Sequence, residues 1–501
     1  MSSHGRHRAL VGQAFTYGSG AILARIVGFF LVPVYLAAAG TAAFGAAELV
    51  ISAVAVGAIV LRLGIVASMS RYTLAESADG DWAPVIHTVF GFVLAVSTAG
   101  VVVGALLLDE LAAFLDIGRD LAVAGLFALW VTMNYDVIAR LYRIERRAGQ
   151  WVRVMVLNVA LSAVLTVTLV VVFDEGALGL LVGNFAATAV LYACLVVARR
   201  HTIGFRRFDR SVLRELLRFS LPLMPANLAI WAINFADRIQ LQKLAGPLEL
   251  GQYAAAARVA LALTVVTGAF QTAWAPFAHA VRGEEGDEVA KQTYSEVFTY
   301  WAIVAGWGLV AVTMLSAPYI VITFPRQAEA AVDVVPLLAL GIVLYGAYLI
   351  VNVAVTISKR TRATPLVAGV AAAATIGLNF WLIPEYGLIG AGITTVVGSG
   401  LLVGLQWLNA QRSYPIAYEW SRVGRVAAVA LGLAALSVWA IPERGVLGIS
   451  VRVALVLVFP AALVAVRAVS PADARRLRGL WRARRRSRAV SPTDDLETPE
   501  P

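Results

Sequence analysis

Cysteine is almost missing from this 501-residue chain. Cys194 stands alone, which excludes an internal disulfide, and it lies in an apolar run where a small packed side chain is expected rather than a reactive thiol. Charge is scarce as well. Charged residues make up 14% of the chain, against roughly 25% in water-soluble domains, too little polar surface to cover a water-facing globule of this size. Lysine is rare among the basic residues, which are nearly all arginine. The five histidines (His4, His7, His87, His201, His279) are scattered without ligand spacing. No HExxH, CxxC or P-loop is present, which argues against a metal site, an ATPase motor and thiol chemistry. No cofactor is expected.

What fills the chain instead is apolar sequence. Hydrophobic residues account for 60%, and the mean hydropathy is +0.78. They fall in blocks of about 20, the length of helix that crosses about 30 Å of hydrocarbon. Lipid offers the backbone no hydrogen bonds, so such blocks must be helices that satisfy their own. The expected fold is an all-α integral membrane protein with about fourteen spans. The first six cover residues 9–38, 42–75, 83–108, 118–144, 150–173 and 176–198. The next six cover 212–244, 249–281, 289–315, 328–358, 364–383 and 386–410, and the last two 423–441 and 446–467. Twelve spans is the alternative. Residues 317–324, before Pro325, are too short to cross and are expected at the outer surface. The basic start at Arg6 to Arg8 leads into a run too long for the core of a cleavable signal.

Net charge is +10, and its placement carries the information. With the N-terminus inside, the cytoplasmic loops hold Arg140 to Arg153, Arg199 to Arg218, Lys359 to Arg362, Arg412 to Arg425 and the tail from Arg467 to Arg488. The opposite loops hold little beyond Arg119, Arg326 and Arg444. That asymmetry predicts both termini in the cytoplasm. The tail divides into a basic stretch with Leu480 and Trp481, suited to anionic membrane lipid, and an acidic, proline-rich end expected to be disordered. Nucleic acid is not an expected partner of a tail tethered to a membrane. The stretch 199–214 is expected to be amphipathic and to lie on the surface.

The chain reads as a duplication. GTAAFGAAEL from Gly40 matches GPLELGQYAA from Gly246, each with two glycines five apart. DEGALGLLVGN from Asp174 matches EYGLIGAGITT from Glu385, each with two glycines three apart. The offsets are 206 (246 − 40) and 211 (385 − 174). The domains follow: a cytoplasmic start at 1–8, a six-helix bundle at 9–198, a cytoplasmic linker at 199–211, a second bundle at 212–410, two further spans within 423–467 and a cytoplasmic tail at 468–501. Both copies start inside, so the repeat is parallel, and such repeats place the substrate path between the halves.

LLRFSLPLMPANLAIWAINFADRIQLQKLAGPLELGQYAAAARVA (216–260), LLALGIVLYGAYLIVNVAVTISKRTR (337–362) and LNFWLIPEYGLIGAGITTVVGS (378–399) resemble the polysaccharide transporters. These are the oligosaccharide-lipid flippases of the multidrug/oligosaccharidyl-lipid/polysaccharide exporter superfamily. The resemblance spans the first twelve helices and rests on the set of segments, not on any single motif. It implies two six-helix bundles arranged as a V around a central cavity. It also implies a substrate of sugars on a polyprenyl diphosphate, no bond chemistry, and a plasma-membrane location beside other polysaccharide-assembly proteins.

Charges and amides inside spans are the candidate site, because each is costly in hydrocarbon. Arg25 and Arg62 lie deepest and are the expected diphosphate contacts, since arginine's planar fork suits phosphate. Asn234, Asp237, Arg238 and Arg258 are further substrate-binding candidates. Asp136 and Arg140, four apart on one helix face, can pair with each other, either to bind a coupling ion or only to hold the fold. Glu48 belongs to the same class, and it and Arg258 lie shallow enough to snorkel. Gln271 and Trp274, before Pro276, either line the path and stack on sugar or simply pack around a kink.

Three other functions compete with flipping: a drug or metabolite/cation antiporter of the same superfamily, a membrane enzyme of glycan assembly, and an envelope scaffold. An enzyme would be expected to carry a sizeable outer loop with clustered polar residues. A scaffold would not need charges in the middle of spans.

Overall fold

The computed structural model describes residues 3–75, 81–145, 147–358, 360, 363–439 and 441–469. The tail and its basic and acidic stretches lie outside the described residues. No strand occurs among those described.

Seventeen helices follow one another, and most breaks have a local cause. α1 (Ser3–Ala39) ends at Gly40, whose φ of 88° starts α2 (Thr41–Arg62). Left-handed Leu63 and Gly64 (φ 51° and 72°) separate α2 from α3 (Ile65–Ala75), so the expected second span is broken. α4 (Ala83–Leu106), the short α5 (Leu108–Leu115), α6 (Arg119–Ile144), α7 (Ala148–Val167, continued by a π-turn to Val172) and α8 (Gly176–Ala198) complete the first half. α9 (Arg210–Ser220) and α10 (Met224–Leu244) meet at Pro222, where the chain bends by 52°.

A 3₁₀ turn at Leu261–Leu263 divides α11 (Pro247–Ala260) from α12 (Thr264–Glu285). α13 (Asp287–Thr323) absorbs residues 317–323, so most of the expected surface segment is the last two turns of a helix. α14 (Ala331–Ile357) and α15 (Thr364–Ser413) follow, then α16 (Trp420–Trp439) and α17 (Val446–Ala465).

α15 contains both the eleventh and twelfth expected spans. It is a hairpin with non-helical Gly387 (φ 53°, ψ −130°) at its bend. Thr394 bonds Asn379 across it, and a side chain on Gly398 would strike Thr375. By length and composition, 12 helices among the described residues can cross a membrane, or 13 with the bent α9–α10 pair; this count takes α15 once. Large apolar residues such as Phe30, Leu106, Val172 and Leu457 point outward with most of their surface free, as a lipid-facing surface requires.

Packing runs mostly within each half of the chain. α6 and α7 lie on α8, α1 on α7 and α4 on α6; in the second half α10 and α14 lie on α15, and α13 on α14. The halves meet where α2 packs on α10 and α11. The matched glycines share a backbone: Gly40 and Gly246 have φ of 88° and 94°, Gly176 and Gly387 of 49° and 53°. Gly45 and Gly251, five residues after the first pair, face each other across the two halves. A Cβ on Gly251 would lie 1.9 Å from the Thr41 carbonyl, and one on Gly45 2.6 Å from the Gly251 nitrogen. α2 and α11 therefore touch backbone to backbone at their N-terminal ends, which only glycine permits. α16 and α17 dock on α13. Arg452, 1% exposed, fastens them by donating to the Ser437 hydroxyl and carbonyl and to the carbonyls of Ile441 and Met314.

Candidate functional site

The halves that touch at the N-terminal ends of α2 and α11 separate toward the C-terminal end of α2. There they enclose a cavity of about 660 Å³. From the first half come Ala55, Ile59 and Arg62 of α2 with Thr132 and Asp136 of α6; from the second come Asn227, Trp231, Asn234 and Phe235 of α10 with Tyr345 of α14.

Arg62 is the last residue of α2, at the point where Leu63 and Gly64 turn the chain. Its Nη1 pairs with Asp136 at 2.8 Å and its Nη2 donates to the Thr132 carbonyl at 2.9 Å. Asp136 therefore pairs with Arg62 and not with Arg140. The neighbouring helix delivers a guanidinium to the cavity wall, whereas Arg140 sits one turn nearer the C-terminal end of α6, its Nε unpartnered among the described residues. Arg62 Nε, Thr132 Oγ1 and Trp231 Nε1, all beside the cavity, likewise have no hydrogen-bond partner among the described residues. Asn234 reaches the cavity while its amide donates to the Ile230 carbonyl (2.7 Å).

Asp237 and Arg238 lie behind this wall, 2% and 6% exposed. They pair with each other (3.4 Å) within their own half. The Tyr253 hydroxyl donates to Asp237, and Arg238 stacks on Phe235 (4.9 Å) while donating to the Asn234 carbonyl (3.0 Å). Beside them Gln240, Asn379 and Thr394 form a chain, with the Asn379 amide donating to Gln240 at 2.6 Å.

The remaining candidates are elsewhere. Arg25 does not join Arg62; its Nη1 donates to the Thr264 carbonyl (3.0 Å), linking α1 to α12. Arg258 and Glu48 do not snorkel apart but pair across the halves, Nε to Oε1 at 2.9 Å. They border a second cavity of about 250 Å³ with Tyr35, Asn158, Ser162 and Asn184. Gln271 and Trp274 line a third, about 170 Å³, with Phe270, Trp301 and Asn352, where the Trp274 indole donates to the Ile350 carbonyl (3.3 Å).

Asn227, Trp231, Phe235, Tyr345 and Thr132 were not singled out from sequence. The signal for Asn227, Gln240 and Asn379 was present, since an amide in a span carries the same cost argument as a charge. The aromatic residues carried none, being apolar residues among many. Among the described residues no group of three or more His, Cys, Asp or Glu is placed to hold a metal ion.

The family described as "Polysaccharide biosynthesis protein" matches residues 10–279, more than half of the chain. The chain belongs to this family. No curated protein matches it by sequence. Among solved structures, it is similar to a lipid II flippase MurJ in an inward closed conformation: TM-score 0.69 at 13% identity, over 90% of this chain and 98% of that one. It is similar to an inward-facing multidrug resistance MATE transporter of the MOP superfamily: TM-score 0.64, 16% identity, 80% and 95% coverage. A MOP superfamily transporter from Pyrococcus furiosus aligns with TM-score 0.60, 17% identity, and 84% and 96% coverage. At such identities the likeness is one of fold. A multi-pass membrane protein with a fold like that of these solved transporters follows, and those structural neighbours are transporters rather than enzymes.

Proposed function

We propose that the protein flips a polyprenyl-diphosphate-linked oligosaccharide across the plasma membrane for cell-surface polysaccharide assembly. The cavity between the halves carries this reading. It places one guanidinium, two asparagine side chains and three aromatic rings in a space of about 660 Å³ between helices of the two halves. A diphosphate needs a cation there, and sugars need amides and ring faces. An unpaired ionised group in hydrocarbon costs far more than weak contacts return. The polyprenyl tail never enters the cavity, because it stays dissolved in the bilayer.

Asp136 pairs with Arg62 at the cavity wall. A diphosphate carries more charge and more acceptor oxygens than one carboxylate, so substrate takes Arg62 over from Asp136. The orientation expected from the arginine-rich loops puts both termini in the cytoplasm, so the cavity opens inward and the Gly45–Gly251 contact closes the outer side. With no nucleotide motif in the sequence, the driving force is an ion gradient, the membrane potential or the substrate's own gradient.

The test is flipping in sealed proteoliposomes that hold a fluorescent oligosaccharide on polyprenyl diphosphate, read by cleavage with an impermeant glycosidase. Wild type should flip. Arg62→Gln should lose at least about tenfold, the worth of one charge-assisted hydrogen bond, while Arg25→Ala, outside the cavity, loses less. The superfamily's alternative is an antiporter, and the Asp136 carboxylate among aromatic residues would suit an organic cation. Absence of flipping for several sugar headgroups, together with proton-driven uptake of an organic cation, would replace the first reading with the second.

A further inference from the structure

A row of unpaired arginines lies apart from all three cavities. α9 starts at a cap: the Asp209 carboxylate accepts from the Ser211 N–H at 2.7 Å and from its hydroxyl at 2.6 Å. These bonds hold the Asp209 carboxyl below the usual carboxylate range. One face of α9, with Leu216 and Ser220 buried, docks on α3. Ser68 donates to the Leu216 carbonyl (3.2 Å) and Tyr72 to Glu215 (3.2 Å). The segment before it is pinned to α4, where the Asp209 N–H donates to Thr88 (2.9 Å) and Phe205 packs on Phe90 (5.7 Å).

Docked this way, α9 turns Arg210, Arg214 and Arg218 outward. They are four residues apart, so they form one row along the helix. All three are exposed, and none has a hydrogen-bonding or ion-pair partner among the described residues. They border an open groove of about 670 Å³, whose floor is Phe208, Leu213, Leu217 and Leu221. The depth is set by α4. Phe205 and Phe208 close on Gly91, eight residues into that span and about 12 Å along its axis. α9 thus lies beside the first turns of a crossing helix, at the level where headgroups meet acyl chains.

We propose that this groove binds anionic phospholipid of the leaflet it faces. The arginine forks take the headgroup phosphates, and the Leu and Phe floor takes the upper acyl chains. Three separate cations spaced by helical turns match a row of singly charged headgroups, not one compact diphosphate, and none of the three lines the cavity assigned to substrate. The bound lipid anchors the inner end of α10, which α9 feeds through the bend at Pro222 and which carries Asn227, Trp231 and Asn234. The site is independent of what the cavity transports.

The test is native mass spectrometry of the full-length protein titrated with phosphatidylglycerol or phosphatidylcholine. Wild type should retain phosphatidylglycerol preferentially. R210Q/R214Q/R218Q should weaken it at least about tenfold, each arginine near an anionic surface being worth about fivefold, without changing phosphatidylcholine binding or the melting temperature. Leu221→Gln, which keeps every arginine, should weaken it a few-fold. R153Q/R326Q/R412Q, which removes three exposed arginines elsewhere, should leave it intact; an equal loss there would make the effect one of net charge and overturn the site. Displacement of the lipid by inorganic pyrophosphate, or no effect of Leu221→Gln, would show a site that reads phosphate alone and overturn the phospholipid assignment.

Discussion

Arg62 and Asp136 are 74 positions apart in sequence and 2.8 Å apart in space. Their pair lies between two regimes. Arg62 keeps 17% of its side chain exposed and Asp136 40%, so the several kcal/mol lost on breaking a fully buried pair is not expected. A double-mutant cycle of Arg62→Gln and Asp136→Asn, read by thermal unfolding in detergent, should give a coupling of about 1–2 kcal/mol. A coupling near zero would mean that the two groups do not hold each other when no substrate is added. The same pair shows how far residue-level reading goes. Sequence marks Arg62 and Asp136 as costly and therefore purposeful, yet it offers Arg140 as the partner because only neighbours along one helix are visible in it. The buried Asp237–Arg238–Tyr253 group is a similar case: its two charges are legible, and the tyrosine that satisfies one of them is not.

Elements were legible where the bilayer dictates them. The limits of α8, α14 and α17 lie within three residues of those expected, because each is a continuous apolar run between polar ends. The breaks at Leu63–Gly64 and at 261–263 were hidden, since each falls inside a run that reads as one continuous span. Two elements carry predictions. Gly251→Val puts side-chain atoms into the Thr41 carbonyl and should force α2 and α11 apart at their N-terminal ends. In a Cys194→Ser background with Ala47→Cys, labelling by an impermeant maleimide from the outside should rise at least about tenfold, a shift of about 1.4 kcal/mol between states. Unchanged labelling would mean that this contact does not close the outer side. Arg452→Met leaves the carbonyls of Met314, Ser437 and Ile441 without their donor. It should cost about 2–4 kcal/mol, loosen α16 and α17 from α13 and leave substrate binding unchanged, seen as faster hydrogen exchange confined to those helices.

At the scale of the whole molecule, the prediction concerns orientation. The arginine-rich loops predict that both ends of the chain lie on the cytoplasmic side. In intact cells an impermeant reagent should fail to label a cysteine introduced at Ser3 or at Ser491, and should label both after permeabilisation. Labelling of either in intact cells would invert the cavity's assignment from inward-open to outward-open. The matched glycines are the other whole-molecule feature. Paired glycines with the same positive φ, at Gly40 and Gly246 and at Gly176 and Gly387, repeat one backbone device in each half, and Gly45 with Gly251 becomes the contact between the two.

The sequence by itself determined the solvent of this protein, its helical class and the identity of the costly polar residues. Each follows from a local balance: about twenty apolar residues per crossing, backbone groups satisfied within the segment, and a penalty on every buried charge. Tertiary structure alone decided which charges meet, which line the cavity and which merely fasten helices. In lipid every face of a span can be apolar, so composition does not fix a helix's rotation or its neighbour; close packing of side chains and backbones far apart in the chain does.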